Sequence, residues 1–238
     1  MQLTSDPQDR PIKDRPEGIA ERIYAQLRDD IFELRLMPGD RFSEGDIARR
    51  MEVSRTPVRQ ALFRLEREGY LEVYFRSGWQ VRPFDFRHFE ELYDIRIVLE
   101  LAAVQRLCER AQADAYPAQL DELRAAWMVP PERQLTACAD ASALDERFHN
   151  ALVETTGNRQ LTTMHWEVTE KIRIIRRLDF TQPVRIAATY QEHNAILQAI
   201  LARQLPQAQR LLTEHILASK LVVRNITMHM LSMARTPL

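Results

Sequence analysis

Cysteine is almost missing from this sequence. Only Cys108 and Cys138 occur in 238 residues, both in helix-like patterns, which excludes a disulfide framework and suits reduced thiols in a cytoplasm. Long apolar runs are missing too: no stretch approaches the roughly 20 residues that a membrane-spanning helix needs. The leading MQLTSDPQDRPIKDRPEG has no hydrophobic segment, so neither a signal peptide nor an anchor is expected, and residues 1–15 read as a flexible leader. An excess of one charge is also absent. The 33 Lys and Arg oppose 34 Asp and Glu, a net charge of −1, so nothing draws the whole molecule toward a polyanion. No internal repeat, nucleophile elbow or glycine-rich phosphate loop is evident. The remainder, 45% hydrophobic and 28% charged, is ordinary for a soluble protein of one or two domains.

What is present is organised around FSEGDIARRMEVSRTPVRQALFRLEREG, Phe42 to Gly69. Ser43 with Asp46 three residues on has the pattern of a capping box opening a short helix. Met51, Glu52 and Val53 turn the chain. Ser54-Arg55-Thr56-Pro57 opens a second helix, where proline is tolerated because first-turn N–H groups lack an intrahelical partner. Val58, Ala61, Leu62 and Leu65 recur at i, i+3, i+4, i+7, so one face of this helix is buried, and Gly69 sits where a C′ glycine ends it. Two short helices with a tight turn make a helix-turn-helix, with Arg55, Thr56 and Arg59 exposed at the start of the second. Such side chains meet phosphates and base edges in a major groove. A basic surface on Arg49, Arg50, Arg55, Arg59, Arg64 and Arg67 supplies locally the charge that the whole chain lacks. An αα-hairpin with a solvated basic face has the same spacing.

The next residues separate the two. Tyr70 to Phe75 and Trp79-Gln80-Val81 are short β-prone runs joined by Arg76-Ser77-Gly78, a two-stranded wing directly after the recognition helix. With LMPGDRFSEGDIARRMEVSRTPVRQALFRLEREGYLEV and the wing RSGWQV, residues 16–83 resemble the GntR family of bacterial transcription regulators. The resemblance implies that Ser54, Arg55, Thr56, Pro57, Arg59 and the wing residue Gly78 face a double-stranded DNA operator. Three positions depart from the family pattern: Gly45 stands where many members carry a DNA-contacting arginine, Gln60 where glutamate is usual, and Phe63 where arginine is common.

From Phe86 onward every segment has helical period. Helices are expected near 87–112, 117–128, 140–155, 158–178, 183–203 and 205–232, separated by proline and glycine breaks. The fold class is therefore mainly α: an N-terminal winged helix-turn-helix, then an antiparallel all-α bundle of six or seven helices over residues 86–232.

Six histidines lie in that second half. Asp145 and His149 are four apart and share a helix face; His193 and His215 follow in TYQEHNAILQAI and RLLTEHILAS with apolar neighbours. An aspartate and three imidazoles from three helices suit a divalent ion such as zinc, nickel or manganese, although D-x-x-x-H on a helix is commonly a solvated pair. The motifs LYDIRIVLELAA, LDERFHNALVETTGNRQL and YQEHNAILQAI are similar to the FCD domain of the FadR-type branch. That resemblance implies that Asp145, His149, His193 and His215 hold a metal, and that Arg96 contacts a small carboxylate effector. Arg96 also reads as an i, i+4 pair with Glu100. His88, His165 and His229 read as structural or surface groups, and Arg173, Arg176 and Arg177 as a solvated basic face. The expectation is a cytoplasmic, homodimeric, metal-containing regulator, a repressor of a palindromic operator responsive to an organic acid. The alternative is a metal-dependent hydrolase joined to a DNA-binding domain, against which no separate general base is apparent.

Overall fold

The computed structural model describes residues 16–75, 78–109 and 118–226. The chain divides into two compact units, with the division between Phe84 and Asp85. The expected leader lies outside the described residues, as do the ends of two expected helices at 110–112 and 227–232.

In the first unit, α1 (Pro16–Phe32), α2 (Glu44–Arg50) and α3 (Arg55–Arg67) pack with a three-stranded antiparallel sheet. The capping box on α2 is present: Ser43 Oγ accepts from Asp46 N at 3.2 Å, and Asp46 Oδ2 accepts from Ser43 N at 2.9 Å. Both helices of the motif close the same way. Glu52, at φ 54°, lets its own N–H reach Arg49 O and that of Val53 reach Ala48 O, and Gly69, at φ 86°, lets Tyr70 N donate to Leu65 O at 2.9 Å. These turns bring Ile47, Val58, Ala61, Leu62 and Leu65 against Ile23, Leu27 and Ile31 of α1, with Leu71, Trp79 and Val81 completing the core.

The wing strands are β2 (Leu71–Tyr74) and β3 (Gly78–Val81), but a third strand, β1 (Arg41–Ser43), pairs with the far edge of β3 in the order β1-β3-β2. Phe42 stands opposite Trp79, and so does Val73 from the other side. The extra strand is three residues long, too short to carry an alternation signal, and is recruited by backbone bonds from Gly39 N to Val81 O and from Val81 N to Asp40 O, each 2.9 Å.

The second unit is helical: α4 (Phe86–Cys108), α5 (Ala118–Trp127), a single 3-10 turn at Pro131–Arg133, α6 (Cys138–Glu154), α7 (Arg159–Asp179), α8 (Pro183–Leu201) and α9 (Leu205–Arg224). The breaks fall where the sequence places them. Asn158 caps α7 by accepting from Gln160 N and Leu161 N at 3.1 Å, and Pro183 sits in the first turn of α8. Ion pairs Glu90–Arg224 and Asp94–Lys220 run in opposite sequence directions, so α4 and α9 lie antiparallel. Among the described residues no helix is long and apolar enough to cross a membrane, and Cys108 and Cys138 form no disulfide.

Candidate metal centre and nucleic-acid interface

Periodicity decides which side chains enter the bundle. On α6 the buried face is Ala141, Ser142, Asp145, Phe148, His149, Leu152 and Val153; on α8 it includes Tyr190, His193, Ile196 and Leu197; on α9, Leu212, His215, Ile216 and Ser219. Those three faces bring Asp145, His149, His193 and His215 together, one ligand atom of each lying within 4.8 Å of the others. His215 Nε2 stands 3.1 Å from His149 Nε2 and 3.2 Å from His193 Nε2. Asp145 Oδ1 lies 3.3 Å from His193 Nε2, 3.5 Å from His149 Nε2 and 3.9 Å from His215 Nε2. Metal–nitrogen bonds of about 2.1 Å place neighbouring ligand atoms about 3.0–3.4 Å apart; the pairs at 3.1–3.5 Å lie at or near that range, and Asp145 to His215 at 3.9 Å is wider.

Hydrogen bonding behind the rings argues for the same charge. His149 Nδ1 donates to Glu100 Oε2 at 2.6 Å, and His215 Nδ1 donates to Glu192 Oε2 at 2.6 Å. With both Nδ1 positions committed as donors, neutral rings aim two Nε2 lone pairs at each other across 3.1 Å. A shared proton or a bound cation would relieve that repulsion. Asp145, His149, His193 and His215 would hold a divalent ion there, and a carboxylate behind a ligating imidazole is the usual support for one. His193 has no such support. Its Nδ1 is buried without a hydrogen-bond partner among the described residues, and stacking on Phe148, ring centroids 3.7 Å apart, with Trp127 at 4.1 Å, fixes its plane.

Electrostatics keep the donors in metal-ready forms. Burial pushes the Asp145 carboxyl up, but His149, Arg176 and His193 beside it outweigh this and hold it well below the usual carboxylate range. Burial pushes the His215 imidazole down to about 4, against the opposing pull of Glu192, and burial with His215 nearby pushes His193 well down. Glu100 is likewise held well below its ordinary value: burial opposes ionisation, but His149 and Arg96 prevail.

Several supporting groups were not legible as such. Glu100 also accepts from His165 Nε2 at 3.1 Å and from Arg96 Nε at 2.7 Å, so His165 is a buried prop of the site. The expected Arg96–Glu100 pair exists, but in the interior; Arg96 is 1% exposed and its Nη2 has no hydrogen-bond partner among the described residues. Arg176 departs from the expected solvated face. It is 2% exposed, with Nε 2.7 Å from Asp145 Oδ2, because position 176 falls on the buried face of α7. Arg185 joins Asp179 and Glu192 behind His215. Glu192 precedes its supported histidine by 23 positions and lies on another helix, so no local pattern marks it. His88 is exposed at the start of α4, and His229 lies outside the described residues.

In the first unit, Ser54 is the N-cap of α3 in extended conformation, and Ser54, Arg55, Thr56 and Arg59 are exposed around the helix start. Pro57 is buried, so it shapes that start from inside rather than presenting a surface. Arg59 is held by a two-pronged bond to Glu44 of α2, both contacts 2.9 Å. The Arg55 guanidinium lies over Gly45, where a Cβ would be 3.4 Å from Arg55 Nη2. Gly78 is required by the hairpin itself, since a Cβ there would meet Tyr74 O at 2.8 Å. Arg50 and Arg64 are tied to Asp30 and Glu21 within the unit.

The sequence pattern of bacterial regulatory proteins of the gntR family matches residues 19–81, and that of the FCD domain matches residues 91–218. The chain belongs to the GntR family. This GntR regulator is 30% identical over 179 residues to the Nta operon transcriptional regulator of Aminobacter aminovorans, covering 75% of this chain and 82% of that one. It is 29% identical over 208 residues to the HTH-type transcriptional regulator YdhC of Bacillus subtilis (strain 168), covering 86% and 89%. A GntR transcriptional regulator from Rhodococcus sp. RHA1 shares its fold, with a TM-score of 0.67 at 23% identity over 87% of this chain and 98% of that one. The protein is thus a DNA-binding transcription regulator with an FCD ligand-binding domain, and the hydrolase alternative falls: its family and relatives are regulators, not enzymes.

Proposed function

We propose that this GntR regulator is a cytoplasmic homodimer that represses from a palindromic operator and releases it in response to a small organic acid sensed beside a divalent metal ion. The observation that carries this reading is the convergence of Asp145 Oδ1 and three histidine Nε2 atoms, two of them backed by carboxylates. Asp145, His149, His193 and His215 would hold zinc, nickel or manganese, and the ion would supply Lewis-acid positions for a carboxylate oxygen of the effector. Arg96 offers the guanidinium edge that takes up acid charge. Ser54, Arg55, Thr56 and Arg59 at the start of α3, with the wing around Gly78, would face the operator.

The dimer is supported by exposed aliphatics on adjacent helices: Ile95 and Val98 on α4, Leu217 and Leu221 on α9, with Val98 67% exposed. Two-fold symmetry in the protein matches two half-sites in the DNA. Effector binding then acts by linkage. It favours one arrangement of the two DNA-binding units, and operator affinity changes by that differential.

Elemental analysis of protein purified without chelator tests the metal. About one divalent ion per chain is expected, lost in His193→Ala and in His215→Ala but kept in His88→Ala. Metal-free wild type with undiminished stability would remove the reading.

A further inference from the structure

Arg55, Arg59, Phe63 and Arg67 of α3 follow one another at four-residue intervals, and all are exposed. They form one row on the face opposite buried Val58, Ala61, Leu62 and Leu65. A row of cations is thus interrupted by a single aromatic ring. A phenyl group gains nothing from water, and it can neither pair with a phosphate nor donate to one. Phe63 is nevertheless 48% exposed.

The ring is held in place. It stands edge-on to Trp79 of β3, centroids 5.4 Å apart at 80°, and Trp79 is buried in the core of the unit. Val73, exposed and directly across the wing from Trp79, lies on the same face of the sheet. The result is a small apolar corner where α3 meets the wing, with Arg59 and Arg67 one turn to either side of Phe63 along the helix. An apolar protein partner seated there would cover those cations without supplying counter-charge. Duplex DNA meets both demands: its phosphates take up arginine, and its major groove offers an apolar group, the 5-methyl of thymine. Eight residues separate Arg55 from Phe63, about 12 Å along the axis, so the two side chains address different base pairs.

We infer that Phe63 is a specificity-determining residue that packs on the 5-methyl group of a thymine in each operator half-site. This rests on the reading above that the start of α3 faces the operator, and it extends that contact about two turns along the helix. A ring already anchored by Trp79 loses little freedom on binding. It makes no bond to phosphate, so it sets base selectivity and leaves the salt dependence of binding unchanged.

The test starts from duplexes that the full-length protein enriches from a randomised library. Each thymine of one half-site is then replaced in turn by uracil, which lacks only the 5-methyl, and affinity is titrated at fixed salt. At one thymine, uracil should weaken wild-type binding about fourfold, the worth of one buried methyl group. The same replacement should change binding by Phe63→Ala little, with circular dichroism and the salt slope showing that fold and phosphate contacts persist. If Phe63→Ala misfolds, wild-type protein decides: 5-iodouracil at the sensitive position should photocrosslink to Phe63. A half-site with no uracil-sensitive thymine, an equal uracil penalty in folded Phe63→Ala, or a crosslink to another residue overturns the inference and leaves Phe63 a cover for Trp79. Wild-type affinity and selectivity in Arg55→Ala would overturn the operator-facing reading of α3 along with it.

Discussion

Glu100 Oε2 accepts from His149 Nδ1 at 2.6 Å with both side chains fully buried, although the residues are 49 positions apart. The bond fixes which nitrogen of His149 faces the metal-ligand cluster, and the same carboxylate gathers His165 and Arg96. Glu100→Gln retains the shape but weakens the acceptor and leaves buried Arg96 without its counter-charge. It should lower metal affinity about 10- to 100-fold and reduce stability by about 3 kcal/mol or more. Competition with a chromogenic chelator and thermal melting check both; unchanged metal affinity would show that His149 is oriented by packing alone.

Acid should destabilise the bundle in a defined window. In the unfolded chain a histidine takes a proton near pH 6.5, whereas burial keeps native His215 neutral down to about 4 and holds His193 well below its ordinary value. As pH falls below 6.5 the unfolded state binds more protons than the native one, so stability must fall with pH until about 4 and level off for His215 below that. Asp145 and Glu100, held below their ordinary values, contribute stability that is lost at still lower pH, with the same sign. Melting temperature against pH in the presence of chelator is the measurement. A flat profile between pH 6.5 and 4.5 would contradict the burial of neutral imidazoles.

On the DNA-binding unit, Arg59 is held by Glu44 while Arg55 lies over Gly45. Arg55→Ala should cost on the order of 1–3 kcal/mol of operator binding and relax selectivity at one base position. Glu44→Gln removes a negative charge from the face and frees Arg59, so non-specific DNA binding should strengthen while discrimination between operator and random duplex shrinks. Both are read by titrating labelled duplexes at fixed salt. Unaltered discrimination in Glu44→Gln would leave the pair a surface ion bridge with no part in readout.

How much was legible follows from distance along the chain. The capping box at Ser43, the C′ glycine at 69 and the shared face of Asp145 and His149 are local patterns, and the structure contains each. The gathering of His193 and His215 with them was readable only through family resemblance, because nothing in their spacing says which helices adjoin. The props behind the rings had no signal at all: Glu100 reaches His165 across 65 positions, and Glu192 supports a ring on α9 rather than its neighbour His193. Arg176 was misjudged because three arginines in five residues suggest a solvated face, whereas the helical period turns position 176 inward to Asp145. The strand β1 was hidden by its length and by dependence on a partner almost 40 positions away.

The central claim is that the bundle senses an acid at a metal and passes the result to the DNA-binding unit. It is tested most directly by measuring operator affinity against acid concentration for metal-loaded and chelator-stripped protein side by side. The account predicts a saturable change of about 5- to 150-fold in operator affinity for the loaded protein, with the acid recovered chemically unchanged, and little or none for the stripped protein. Operator affinity that is indifferent to every acid and to the metal would contradict it.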